Sequence, residues 1–147
     1  MSQTIEKILR NKSAAIWYIA PEATVYDALA VMAEKEVGAL LVMTNNRLVG
    51  IISERDYARK IILQGRSSKD TTVQEIMTGA MYTVSPGDTV DECMRIMTHH
   101  RIRHLPVMEN TSLVGVISIG DLVNAIISEQ AQTIDQLHMY IGANYPA

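Results

Sequence analysis

Leu48-Val49-Gly50-Ile51-Ile52-Ser53-Glu54-Arg55-Asp56 and, 65 residues later, Leu113-Val114-Gly115-Val116-Ile117-Ser118-Ile119-Gly120-Asp121 decide how this chain folds. Each stretch is an apolar run that enters a serine and, three residues on, an aspartate. That order marks a buried strand passing directly into a helix. The serine suits the N-cap, and the aspartate falls on the third helical position, where its charge meets the positive end of the helix dipole. The same place can also receive a phosphate or a sugar diol. As a plain helix cap the motif is worth about 1 kcal/mol.

Around these stretches the chain repeats itself. A shift of 65 residues lays Ile19–Leu63 on Val84–Ser128 without a gap, and sixteen of the 45 aligned positions are identical. Pro21, Thr24, Val25 and Met32 fall on Pro86, Thr89, Val90 and Met97, and Asn45 falls on Asn110. Within the first copy, Ser13–Ala20 is rich in strand formers and meets Pro21, which keeps Ala20 extended. Thr24 with Asp27 resembles a capping box, and Val25, Ala28, Leu29 and Met32 share one helical face. Ala39–Met43 and Leu48–Ile52 read as strands joined by a turn at Thr44–Arg47. A helix follows from Glu54 to about Gln64 and stops at Gly65. Such a duplication governs the fold. It predicts an α/β chain of the α+β kind: two tandem β-α-β-β-α repeats, spanning 12–65 and 76–130, packed as a pseudo-two-fold pair. Residues 1–11 form an N-terminal helix, with Ile5, Ile8 and Leu9 on one side. Residues 131–147 form a C-terminal helical extension through Ile134, Leu137 and Tyr140 or Ile141. The polar stretch Gly65–Asp70 reads as the linker, and Val73–Met77 as a single helical turn.

Composition narrows the function. The chain has 147 residues, 48% hydrophobic and 20% charged, with a net charge of −3. That is ample for a packed core, and the acidic balance disfavours a nucleic-acid surface. Phe is absent and nine Met are present, so Met32, Met94 and Met97 are expected in the core. The single cysteine, Cys93, forms no internal disulfide and reads as a buried thiol, which fits a reducing, cytoplasmic setting. The first eleven residues have no secretory apolar region, and Ala39–Met43 is too short to cross a bilayer. No nucleophile elbow, P-loop or Gly-x-Gly-x-x-Gly is found, so no catalytic residue is assigned and enzyme activity is not expected. His100 and His104 are four apart, but Leu105-Pro106-Val107 ends the helix between them, so no metal site is expected.

The repeat has a Pro-x-x-Thr-Val start, a Leu-Pro-Val-type strand, a Leu-Val-Gly-x-Ile-Ser strand and a Ser-x-x-Asp helix start. With these features it resembles the cystathionine-beta-synthase (CBS) domain, and two in tandem resemble a Bateman module. The resemblance covers about Lys12 to Glu129. It implies a disc-like pair of domains, commonly a homodimer, that binds an adenosine-containing ligand in the cleft between the repeats and regulates another protein. No attached partner domain is found here, so the regulated protein is unknown. Candidate ligands are AMP, ADP, ATP, NAD, NADH and S-adenosylmethionine, with no cofactor required.

By this resemblance Asp56 and Asp121 take the ribose hydroxyls, since an ionised carboxylate has two acceptor oxygens for two adjacent donors. Ser53, Ser118 and the amides of the helix starts, Gly120 among them, would face phosphate. Arg103 and His104 match the family's phosphate-binding positions, Thr83 adds a hydroxyl, and Arg55 lies in the first helix start. The copies are not equivalent. Gly38 and Ala39 stand where the second copy has Arg103 and His104, and Gly120 stands where the first has Arg55. A charged ligand is therefore expected at one site, with a bridging dinucleotide as one way to use the asymmetry. The rival reading is a ligand-independent dimerisation scaffold whose Ser-x-x-Asp motifs only cap helices. His99, His100 and Arg101 are expected at a solvated helix end.

Overall fold

A computed structural model describes residues 3–12, 16–79 and 82–144. The chain divides into two compact units, one of residues 15–83 and one of 1–14 with 84–147. In chain order the elements are α1 (Ile5–Asn11), β1 (Tyr18–Ile19), α2 (Val25–Lys35), β2 (Ala39–Thr44), β3 (Arg47–Ser53) and α3 (Glu54–Tyr57), which continues as a π-helical segment over Ala58–Ile62. Then come α4 (Val73–Ile76), β4 (Thr78–Gly79), α5 (Val90–His100), β5 (His104–Glu109), β6 (Ser112–Ser118) and α6 (Ile119–Asn144).

The first-repeat unit holds a four-stranded sheet in the order β1-β2-β3-β4, with β1 parallel to β2 and the other pairs antiparallel. Helix α2 starts on Thr24, whose hydroxyl accepts from the Asp27 N–H at 3.1 Å. It ends at Glu36 in the left-handed region, φ 55°. The β2–β3 hairpin turns on Asn45 and Asn46, both at positive φ as a two-residue hairpin requires. Strand β1 is shorter than the Ser13–Ala20 expected. Tyr18–Ile19 alone pairs with β2, and Ser13, Ala14 and Ala15 lie outside the described residues.

The second-repeat unit repeats the plan. Strands β5 and β6 pair antiparallel, and Val84 makes a parallel bridge to Val107 where β1 would stand. The bulge between Val42 and Met43 recurs between Val107 and Met108. Helix α5 starts on Thr89, whose hydroxyl accepts from the Glu92 N–H while Glu92 accepts from the Thr89 N–H. It ends at Arg101, again at φ 55°, so His99, His100 and Arg101 do form the helix end, and His104 already belongs to β5.

The cores are matching sets. Val25, Ala28, Met32, Leu40, Val42 and Ile52 are buried in one, and Val90, Cys93, Met97, Leu105, Val107 and Ile117 in the other. Met94 packs partly buried against the second. Burial, with Asp88 and Glu92 nearby, pushes the Cys93 thiol up to about 11, which leaves it a protonated packing group.

Beyond the 65-residue match, a helical segment outside each repeat completes each core. In the first-repeat unit the N–H groups of Val73 and Gln74 donate to Ala23 O and Pro21 O, and Val25 N–H donates to Thr71 O. In the other unit the N–H groups of Ile5 and Glu6 donate to Asp88 O and Pro86 O, and Val90 N–H donates to Gln3 O. Helices α1 and α4 are thus structural equivalents, with Ile5 and Ile8 buried as Val73 and Ile76 are. The polar stretch at Gly65–Asp70 is therefore followed by chain that still packs on the first repeat, through α4 and β4.

These segments explain two glycines. A Cβ on Gly50 would lie 2.8 Å from the Thr78 carbonyl oxygen and from Met77 Sδ, whereas one on Gly115 would meet the Leu9 side chain at 2.7 Å. Backbone cannot yield as a leucine methyl can. Gly50→Ala is therefore expected to cost about 1–3 kcal/mol and Gly115→Ala clearly less, measured by urea unfolding. Equal losses would show that the β3–β4 approach is not what holds Gly50.

Candidate functional site

At the end of β6 the chain passes from strand to helix with no intervening loop. Ser118 Oγ accepts from the Asp121 N–H at 3.1 Å, and Asp121 Oδ2 accepts from the Ser118 N–H at 2.9 Å. The cap reading of the motif is therefore realised. Lys12, at the C-terminal end of α1, adds a second partner: its Nζ donates to Asp121 Oδ2 at 2.7 Å and to the Val116 carbonyl at 2.8 Å. Among the described residues no hydrogen bond reaches Asp121 Oδ1, and 22% of the Asp121 side chain is exposed. Partial burial works to raise the pKa of this carboxyl, but the bonds from Lys12 and Ser118 outweigh it and hold the pKa below the ordinary value. Asp121 is thus an anion at neutral pH with an acceptor oxygen to spare.

Arg103 and His104 of the second copy are at the same end of the strand pair. His104 is the register partner of Ser118 across β5–β6, and the Arg103 carbonyl accepts from the Ile119 N–H at 2.8 Å. His104 is half-buried and Arg103 exposed. Gly120 occupies the first turn of α6, where an added Cβ would touch only Ser118 Oγ, at 3.6 Å, so the turn is open on that side. Thr83 is exposed and is the last residue of the first-repeat unit.

The first copy has the same frame with different occupancy. Ser53 and Asp56 form the reciprocal cap: Asp56 N–H to Ser53 Oγ at 3.2 Å, and Ser53 N–H to Asp56 Oδ2 at 3.0 Å. Ser53 Oγ also donates to Oδ2 at 3.1 Å. The other carboxylate oxygen, Oδ1, is met by Thr78 Oγ1 and by Lys60 Nζ, both at 3.3 Å. Lys60 donates further to the Ile76 carbonyl at 2.8 Å. Both oxygens of Asp56 are engaged, and 13% of its side chain is exposed. Arg55 is half-buried beside it and has interactions of its own. Gly38 and Ala39 hold the strand positions of Arg103 and His104: Ala39 is the register partner of Ser53, and Gly38 O accepts from the Glu54 N–H at 3.0 Å.

Three participants lay outside the sequence reading: Lys12, Lys60 and Thr78. Lys60 was legible, since it stands four residues after Asp56 on one helix, where side chains meet. Lys12 is 109 residues from Asp121 and carries no local signal. Its clue is the match of Thr4-Ile5-x-x-Ile8 to Thr72-Val73-x-x-Ile76, which pairs α1 with α4. Among the described residues no group of His, Cys, Asp and Glu is placed to hold a metal ion. No described helix is long and apolar enough to cross a membrane.

Comparison with known proteins places this arrangement in a family. The CBS domain pattern matches residues 5–63 and again 73–128, so each match begins at one of the paired helical segments. The chain is 42% identical to the CBS domain-containing protein CBSX3, mitochondrial, of Arabidopsis thaliana, over 98% of this chain and 74% of that protein. It is 32% identical to the CBS domain-containing protein YhcV of Bacillus subtilis, over 77% and 81%. Among solved structures, a CBS-domain protein of Burkholderia ambifaria MC40-6, assigned to signal transduction, superposes with a TM-score of 0.84 at 50% identity, covering 87% of this chain and 96% of that one. Two matched repeats, cores that correspond residue by residue and these relatives carry one conclusion: the chain belongs to the CBS-domain family as a tandem pair, a regulatory type of module.

Proposed function

We propose that this chain is a ligand-sensing regulatory module whose ligand is an adenine nucleotide of the AMP, ADP, ATP or NAD type, taken at the start of α6. The observation that carries this is Asp121 Oδ1, which accepts no hydrogen bond among the described residues, on a partly exposed carboxylate held ionised. A ribose diol needs such an acceptor. Arg103 and Lys12 bring positive charge to the same strand-to-helix junction and His104 an imidazole, and the α6 amides and the Ser118 hydroxyl supply neutral donors for phosphate. The role is binding and not catalysis. The output is a population shift, because a ligand moves an equilibrium only by its differential affinity for the two states. The setting we infer is the cytoplasm, with the chain acting as a homodimer on a separate regulated protein.

A second reading holds for the first repeat. With both oxygens of Asp56 engaged, its Ser-x-x-Asp motif acts as a cap and tie, as the scaffold alternative requires.

The test is melting temperature of nucleotide-free protein against AMP, ADP, ATP, NAD, NADH and S-adenosylmethionine. A ligand at a hundred times its dissociation constant adds about 2.7 kcal/mol. Asp121→Asn and Arg103→Ala are each expected to reduce that shift. The absence of a shift with all six ligands would replace the sensor reading with the scaffold.

A further inference from the structure

Helix α6 runs for 26 residues, about 39 Å at the α-helical rise, and from residue 131 to 141 it is exposed on every side. A helical end with no tertiary support is marginal in water, so a covering surface is expected for its apolar residues. Those residues are not scattered. Val123, Ile127, Gln130, Ile134, Leu137 and Ile141 follow one another at alternating steps of four and three, the spacing of a coiled-coil seam. Ile127, Ile134, Leu137 and Ile141 are 56, 52, 55 and 49% exposed.

We propose that this seam docks on itself: α6 of a second copy of the chain lies alongside, parallel and in register, as a two-stranded coiled coil. Three features select that occupant. The positions flanking the seam are Asn124, Ile126, Ala131, Thr133, His138 and Tyr140, with no Asp, Glu, Lys or Arg among them. Identical helices oppose like residues, and here no acid faces an acid, since Glu129 and Asp135 fall outside the flanks. Isoleucine at 127, 134 and 141 with leucine at 137 is the distribution that favours two parallel strands. Gln130 fixes the register: in a parallel pair it meets the other Gln130 amide to amide, whereas an antiparallel pair would set it against Ile134. A lipid surface fits poorly, because residues 119–144 contain no Lys or Arg to meet anionic headgroups.

This surface rests on the homodimer inferred above, and the experiment separates the two. The mass of the full chain is measured by sedimentation at about 100 μM, for the native sequence and for Ile134→Asp combined with Leu137→Asp. The native chain is expected to be a dimer, and the double variant to dissociate roughly 100-fold more readily, losing no more far-UV helical signal than the end of α6 carries and keeping the Trp17 unfolding midpoint of the first-repeat unit. Leu137→Cys is expected to cross-link under mild oxidation, since parallel register brings the two copies of position 137 together and Cys93 is buried. A monomeric native chain overturns both the dimer and the seam. A dimer indifferent to the double variant keeps the dimer and overturns the seam. A dimer that the double variant dissociates but Leu137→Cys does not cross-link overturns the parallel register.

Discussion

Asp56→Ala is expected to destabilise the first-repeat unit by about 2–4 kcal/mol, a larger loss than Asp121→Ala causes in the second. Loss of a serine–aspartate cap alone costs about 1 kcal/mol. At Asp56 more goes with it. The carboxylate also receives Ser53 Oγ, Thr78 Oγ1 and Lys60 Nζ, and so ties β3, α3 and the segment after α4 into one junction. Bonds to a charged acceptor are worth about 1.5–3 kcal/mol where water is excluded, and the low exposure of Asp56 puts it toward that limit. Among the described residues Asp121 has one such tie beyond its cap with Ser118, the bond from Lys12, and it is more exposed. Trp17, the chain's sole tryptophan, lies in the first-repeat unit and reports on it directly. Its fluorescence during urea unfolding should show the Asp56→Ala shift. Ligand-induced stabilisation should show the reverse order, with Asp121 the sensitive position. A Trp17 midpoint that Asp56→Ala leaves in place would mean the two aspartates are not divided in this way.

The division explains what the sequence made legible. The repeat, the paired cores and both strand-to-helix junctions follow from local signals: the 65-residue match, the helical spacing of Val25, Ala28 and Met32, and the turn asparagines. The asymmetry in charge was also visible, since Arg103 and His104 align with Gly38 and Ala39. Hidden was who shares the carboxylates. Motif spacing gives the position of Asp56 and Asp121 but not their third partners, which come from segments outside the 65-residue match. Helices α1 and α4 repeat at a shift of 68, seen in Thr4 against Thr72 and Ile8 against Ile76, so a single fixed offset passes over them. Strand β4 escaped for a related reason. Thr78-Gly79 has no apolar alternation, and it is held as a strand by β3 pairing on its edge.

Lys12→Met is expected to raise the Asp121 pKa and to remove about 1–2 kcal/mol of stability at neutral pH, a figure kept low because a third of the Lys12 side chain meets water. Burial alone pushes this carboxyl up from its ordinary 3.8, and the Lys12 and Ser118 bonds more than offset that push. With the ammonium gone, desolvation is opposed by Ser118 alone. The sign of the pH dependence follows. A carboxyl with a depressed folded pKa adds stability above its unfolded pKa, and that stability is lost as pH falls through the folded value. The native chain should therefore exceed Lys12→Met in stability above about pH 4, and the gap should narrow below it as Asp121 becomes protonated in both. The bond from Lys12 to the Val116 carbonyl involves no carboxylate, so a residual difference persists in acid. Carbon NMR of the Asp121 carboxyl gives the pKa directly, and urea unfolding at pH 7 and near pH 3 gives the gap. A gap as wide in acid as at neutrality would assign the role of Lys12 to its aliphatic stem and the Val116 bond, and would leave Asp121 without the partner that holds it ionised.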